Sequence, residues 1–138
     1  MTIAGDWYNE FGSHMRLTAD TSGGLTGTYV SGAGRVAGPY ELTGRHDGPA
    51  EPGGSTAVGW AVAWRNQQGD AGSVTSWSGQ YLENDDTILA TWLLTRSAAA
   101  DHVWESTVVG QDVFTRQTPA PEEIERHLRG RRPASHPS

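Results

Sequence analysis

The chain has 138 residues, with 16 acidic and 10 basic side chains, a formal net charge of −6, and arginine as its only fixed cation. That balance argues against a nucleic-acid or anionic-membrane partner, and the absence of cysteine excludes a disulfide framework and a thiolate metal site. The length fits one domain with its own core. No apolar run approaches the roughly 18 residues of a membrane span, and the start lacks the charged and apolar regions of an export signal, so none is expected in this chain.

Turn residues punctuate the sequence at Thr21 to Gly24, Gly48 to Ser55, Gly69 to Gly72, Glu83 to Asp86 and Ser97 to Asp101. Strands are expected between them at about residues 6–11, 14–20, 25–31, 38–46, 56–67, 73–83, 87–96 and 103–116. Because strand side chains alternate between faces, Trp7, Asn9, Phe11 and Ser13 share one face of the first strand. In the same way Tyr29 pairs with Ser31, Trp60 with Val62 and Trp64, Ser73 with Thr75 and Trp77, and Trp92 with Leu94. Trp104 and Asp112 lie on the last strand. Hydroxyls, an amide and a carboxylate among tryptophans describe an aromatic-walled small-molecule site rather than a dry core.

No segment before residue 120 shows a sustained helical period, which leaves an all-β sandwich or barrel. Strands of about ten residues suit the long tilted staves of a closed barrel, so the expected fold is an eight-stranded antiparallel up-and-down β-barrel. Residues 1–118 are read as that domain and residues 119–138 as a disordered or short-helical C-terminal tail. Glu122 with Arg126, and Glu125 with Arg129, form i,i+4 pairs worth about 0.2–0.5 kcal/mol each, too little to hold a short helix in water. Arg131 to Ser138 has almost no apolar side chain and is expected to be disordered, with a partner-binding peptide as the functional alternative.

Each residue also has a plain reading. Asp112 near a strand end reads as a solvated turn carboxylate, Trp7 and Trp60 as core, and Ser73 or Thr75 as solvent-facing. Arg45-His46-Asp47 reads as an exposed turn in which Arg45 holds Asp47. The five histidines lack metal-ligand spacing, so no metal site is expected. Gly32-Ala33-Gly34 with Gly38 lacks the spacing of a dinucleotide loop. Two other function classes stay open on residues alone. A carbohydrate-binding β-module would carry its tryptophans on an exposed face. A glycosidase would need a second carboxyl group, and Asp112 has no evident partner on a cavity face.

Trp7-Tyr8-Asn9-Glu10-Phe11-Gly12-Ser13, Leu25-Thr26-Gly27-Thr28-Tyr29, Gly59-Trp60-Ala61-Val62-Ala63-Trp64, Thr75-Ser76-Trp77-Ser78-Gly79-Gln80-Tyr81, Trp92-Leu93-Leu94-Thr95 and Gly110-Gln111-Asp112-Val113-Phe114-Thr115 resemble the avidin family of biotin-binding proteins over about residues 5–118. The resemblance implies a non-enzymatic protein with biotin as bound ligand and no catalytic cofactor. It matches Asn9, Ser13 and Tyr29 to donors on the ureido oxygen, and Asp112 and Ser31 to acceptors for the two ureido N–H groups. It matches Thr75 to the ring sulfur, Ser73 to the valerate carboxylate, and Trp64, Trp77, Trp92 and Leu94 to the walls. Phe11 stands near the ureido end, where the family has a smaller leucine. Ala33, Gly34 and Arg35 belong to the matching lid, Arg35 standing where the family has an asparagine, and Ala71 matches a further ligand-binding position. Trp104 matches a tryptophan that reaches into a neighbouring subunit, which implies a homo-oligomer, expected to be a tetramer. The same resemblance implies secretion.

Overall fold

Alternating small and large side chains divide the strands into an inner and an outer face, and the inner face decides the architecture. The computed structural model describes residues 2–32, 38–48 and 52–129. Eight strands are formed: β1 Gly5–Tyr8, β2 His14–Ala19, β3 Gly24–Val30, β4 Tyr40–His46, β5 Ser55–Asn66, β6 Gly69–Leu82, β7 Thr87–Arg96 and β8 Thr107–Phe114. Each pairs antiparallel with the next in one sheet. Tyr8 and Thr115 exchange both backbone hydrogen bonds, each 2.8 Å, and so pair the first strand with the end of the last. The sheet thus curls into the expected up-and-down barrel.

Register stacks the inward residues in layers. Gly44, Trp60, Trp77, Trp92 and Gly110 stand directly opposite one another across β4 to β8, forming a row of three tryptophans bounded by glycines. A β-carbon on Gly110 would run into the Trp92 ring, so the missing side chain makes room for the indole. A neighbouring layer, Val58, Gly79, Ala90 and Asp112, is built from small residues and leaves space around the one carboxylate. Beyond it Thr56, Tyr81, Ile88 and Phe114 pack as a floor, with Trp7 edge-on to Tyr81 at 5.8 Å.

Arg116 locks this end of the barrel. Its guanidinium lies 3.6 Å over the Trp7 ring and donates to the carbonyls of Thr2, Ala4 and Asp6 at 2.6, 3.0 and 3.3 Å. It also pairs with Asp86 at 3.2 Å, and Asp86 in turn accepts from the Tyr81 hydroxyl. One cation therefore ties the amino-terminal segment to the β6–β7 turn.

Two differences from the expected elements have local causes. The first strand stops at Tyr8 because the Asn9 side-chain oxygen accepts the N–H groups of Phe11 and Ser13, at 3.0 and 2.9 Å, and Gly12 adopts φ +81°. Residues 103–106 do not extend the last strand. Ala100–Glu105 forms a 3₁₀ helix, closed by the Ser106 N–H on the Val103 carbonyl.

The tail does form a helix, α1 Pro121–Arg129, although its ion pairs are weak. Of the two expected pairs, Arg129–Glu125 is made at 3.0 Å. Packing holds the helix instead: Ile124 lies against Gly12, where a β-carbon would sit 2.8 Å from Ile124 Cδ1, and His127 is edge-on to Phe11 at 6.2 Å. Residues 130–138 lie outside the described residues. Arg45 does not hold Asp47; it donates 2.7 Å to the Ser22 carbonyl, across a turn whose N–H groups are gathered by Asp20.

Candidate functional site

The inner surface carries two polar groups of residues set among aromatic rings. The first is built by the Asn9–Ser13 turn and β3. Asn9 is 3% exposed, and because its side-chain oxygen already holds two backbone N–H groups, its amide NH₂ must point the other way, where it donates to the Tyr29 hydroxyl at 3.4 Å. The Ser13 hydroxyl accepts from the Gly32 N–H at 3.0 Å, which leaves its own proton to donate. The Tyr29 ring lies 5.1 Å from Trp77 and 5.6 Å from Trp64, so its hydroxyl is aimed by aromatic packing.

The second group is centred on Asp112, only 2% exposed on β8. Its Oδ2 accepts the Trp77 indole N–H at 3.0 Å, a charge-assisted bond that orients both side chains. Trp64 donates in the same manner to the Thr75 hydroxyl at 2.7 Å. Leu94 and Trp92 are buried beside them on β7.

Ser73 follows Gly72, which adopts φ +64° where β6 shifts register against β5 between Ala63 and Arg65. The Ser73 hydroxyl is buried and has no hydrogen-bond partner among the described residues. Such a group costs free energy unless something else occupies it.

Of the remaining expected site residues, Ser31 is half-buried just past β3, and Phe11 is half-buried against His127 of α1. Ala71 is exposed at the start of β6. Trp104 is 82% exposed on the 3₁₀ helix, so this chain alone gives it no pocket. Ala33, Gly34 and Arg35 lie outside the described residues.

One residue of the site was not anticipated. Glu10 is half-buried, its Oε2 accepts the Val113 N–H at 3.1 Å, and its carboxyl lies within hydrogen-bonding reach of Asp112. Burial, followed by the Asp112 hydrogen bond and charge, pushes the Glu10 carboxyl up to about 8. Asp112 therefore has a carboxyl neighbour, although Glu10 lines the cleft beside α1 and not a cavity face of the barrel. The contact is too close for glycoside hydrolysis, in which two carboxyls stand about 5–9.5 Å apart across the scissile bond.

A carbohydrate platform fails on a different count. Trp7, Trp60, Trp64, Trp77 and Trp92 are all buried, which leaves Trp104 as the one exposed indole. Among the described residues no helix is long and apolar enough to cross a membrane.

Comparison with known proteins agrees with this enclosed, aromatic-walled barrel. The Avidin family model matches residues 1–117. The chain is 30% identical to Afifavidin of Afifella pfennigii over 118 residues, covering 82% of this chain and 68% of that protein. It is likewise 30% identical to Avidin of Gallus gallus over 122 residues, covering 83% and 78%. Fibropellin-1 of Strongylocentrotus purpuratus is 29% identical over 124 residues, which is 83% of this chain but 11% of that larger protein. An eight-stranded meander pinned by Tyr8 and Thr115, these motifs in this order, and a match across nearly the whole barrel establish that the chain belongs to the avidin family.

Proposed function

We propose that the protein binds biotin without chemical change, enclosed in the barrel and acting by sequestration. The observation that carries this reading is the burial of a carboxylate, an amide and two hydroxyls, on Asp112, Asn9, Ser13 and Tyr29, inside a wall of tryptophans. A neutral ureido group suits such a lining. Asn9, Ser13 and Tyr29 donate to its oxygen and draw it toward an oxyanion-like form, as preorganised donors do wherever negative charge develops. Asp112 and Ser31 accept its two N–H groups, and each bond strengthens the other.

Thr75 faces the ring sulfur, and Ser73 gives its unpartnered hydroxyl to the valerate carboxylate. Trp64, Trp77, Trp92 and Leu94 form the walls, Phe11 closes the ureido end, and Ala71 lies at the rim. No catalytic cofactor and no nucleic acid enter this scheme.

The protein assembles as a homotetramer in which Trp104 closes a neighbour's site. Supporting this is the apolar outer face of β7 and β8, where exposed Leu93 stands opposite Val109 and exposed Leu89 opposite Val113. Secretion is proposed on the family resemblance. The test is fluorescence titration of the tryptophans with biotin: saturable quenching supports the site, and no change on adding excess biotin contradicts it.

A further inference from the structure

The Glu10 carboxyl has no role in the ligand scheme, yet it is held as firmly as the residues that do. Oε2 is fixed by the Val113 N–H at 3.1 Å, and Oε1 is buried with no N–H or O–H donor among the described residues. The group it does meet is the carboxyl of Asp112, itself 2% exposed. Two carboxylates within hydrogen-bonding reach at a half-buried site repel each other when both are charged, which favours keeping one proton on the pair. Burial, with the Asp112 hydrogen bond and charge beside it, favours the protonated form of Glu10, while the Trp77 N–H is donated to Asp112 Oδ2.

We propose that Glu10 is a positioning residue: the proton it shares with Asp112 holds that carboxylate in place as the acceptor for the ligand N–H, so that biotin affinity falls when the proton is lost. This rests on the biotin reading of the site. Glu10 also lines a cleft of about 290 Å³ between the Asn9–Ser13 turn, the end of β8 and α1. The titratable groups facing that cleft are Tyr8 from β1 and Glu123 and His127 from α1, with Asp112 behind Glu10 on the barrel side.

Burial and Asp112 set the titration near 8, just above neutral. A bound ligand displaces water from Asp112 and penalises the doubly charged pair further, so the complex holds the proton more tightly than the free protein does. The sign follows from that difference. Affinity is constant below neutral pH and weakens as pH rises past about 8, approaching tenfold per pH unit until the complex itself titrates.

The test pairs carbon NMR of the side-chain carboxyls in the ligand-free protein with biotin titrations from about pH 6 to about pH 10, on the wild type, Glu10→Gln and His127→Gln. A glutamine keeps the acceptor for Val113 and a neutral donor for Asp112 but cannot titrate. Expected are a carboxyl step near pH 8 that Glu10→Gln abolishes and His127→Gln retains, and an affinity that falls at high pH in the wild type but not in Glu10→Gln. A wild type without the step, or an affinity slope that survives in Glu10→Gln, overturns the inference. Failure to bind biotin at any pH with the step present contradicts the biotin reading and supports the shared proton.

Discussion

Asp112 is the residue on which both halves of the site converge, and its surroundings explain why a carboxylate is tolerated inside a barrel. The small layer of Val58, Gly79 and Ala90 leaves it room, Trp77 donates to it, and the raised Glu10 carboxyl lies within hydrogen-bonding reach. Under the proposed function, replacing Asp112 with Ala removes a charge-assisted bond to biotin worth about 1.5–3 kcal/mol, so biotin should dissociate roughly tenfold to a hundredfold faster. An unchanged off-rate would deny it that role. Glu10 also makes a stability prediction. Its folded carboxyl is raised from 4.5 to about 8, so the native state holds this proton more tightly than the unfolded chain. Its contribution to stability is therefore full below about pH 4.5 and is lost as pH rises through about 8. Thermal melts at pH 5 and pH 9 should show a larger loss for the wild type than for Glu10→Gln; equal losses would mean that Glu10 titrates alike in both states.

At the scale of elements, the tryptophan row and the Arg116 clamp set the tolerances of the barrel. Gly110→Ala puts a methyl group into the Trp92 ring and should cost about 1–3 kcal/mol, read by chemical denaturation, and weaken biotin through a displaced wall. Arg116→Ala removes the bonds to Asp86 and three carbonyls and the stacking on Trp7, and should cost about 2–4 kcal/mol in the same assay. A loss within error of zero at either position would show that the contact carries no weight.

Much of this framework was legible in the sequence, because period-two alternation and turn residues survive in single strands. Trp60, Val62, Trp64, Ser73, Thr75, Trp77, Trp92 and Leu94 all face inward as read. What was not legible depends on distant contacts or on side chains bonding their own backbone. The alternation of Trp7, Asn9, Phe11 and Ser13 imitated a strand, but Asn9 turns the chain by capping Phe11 and Ser13. Glu10 stood inside the expected first strand with no role assigned; only closure of the sheet brings it to Val113 and Asp112. The helix α1 was underrated for the same reason, since its support comes from Gly12 and Phe11, more than a hundred residues away.

The described residues present an enclosed interior and an exposed apolar strip on the outer face of β7 and β8. Leu89, Leu93, Val109 and Val113 are exposed side by side, and Trp104 projects from the loop that begins β8. Under the proposed assembly Trp104→Ala should weaken biotin and subunit association together, each by about 2 kcal/mol or more, as read by dissociation kinetics and light scattering. Loss of one without the other would mean that a single chain closes the site. The central claim is tested most directly by calorimetric titration of the purified protein with biotin at neutral pH. The account predicts saturation near one biotin per chain, with a heat that shrinks sharply in Asp112→Ala; the absence of heat and of tryptophan quenching in the wild type would contradict it.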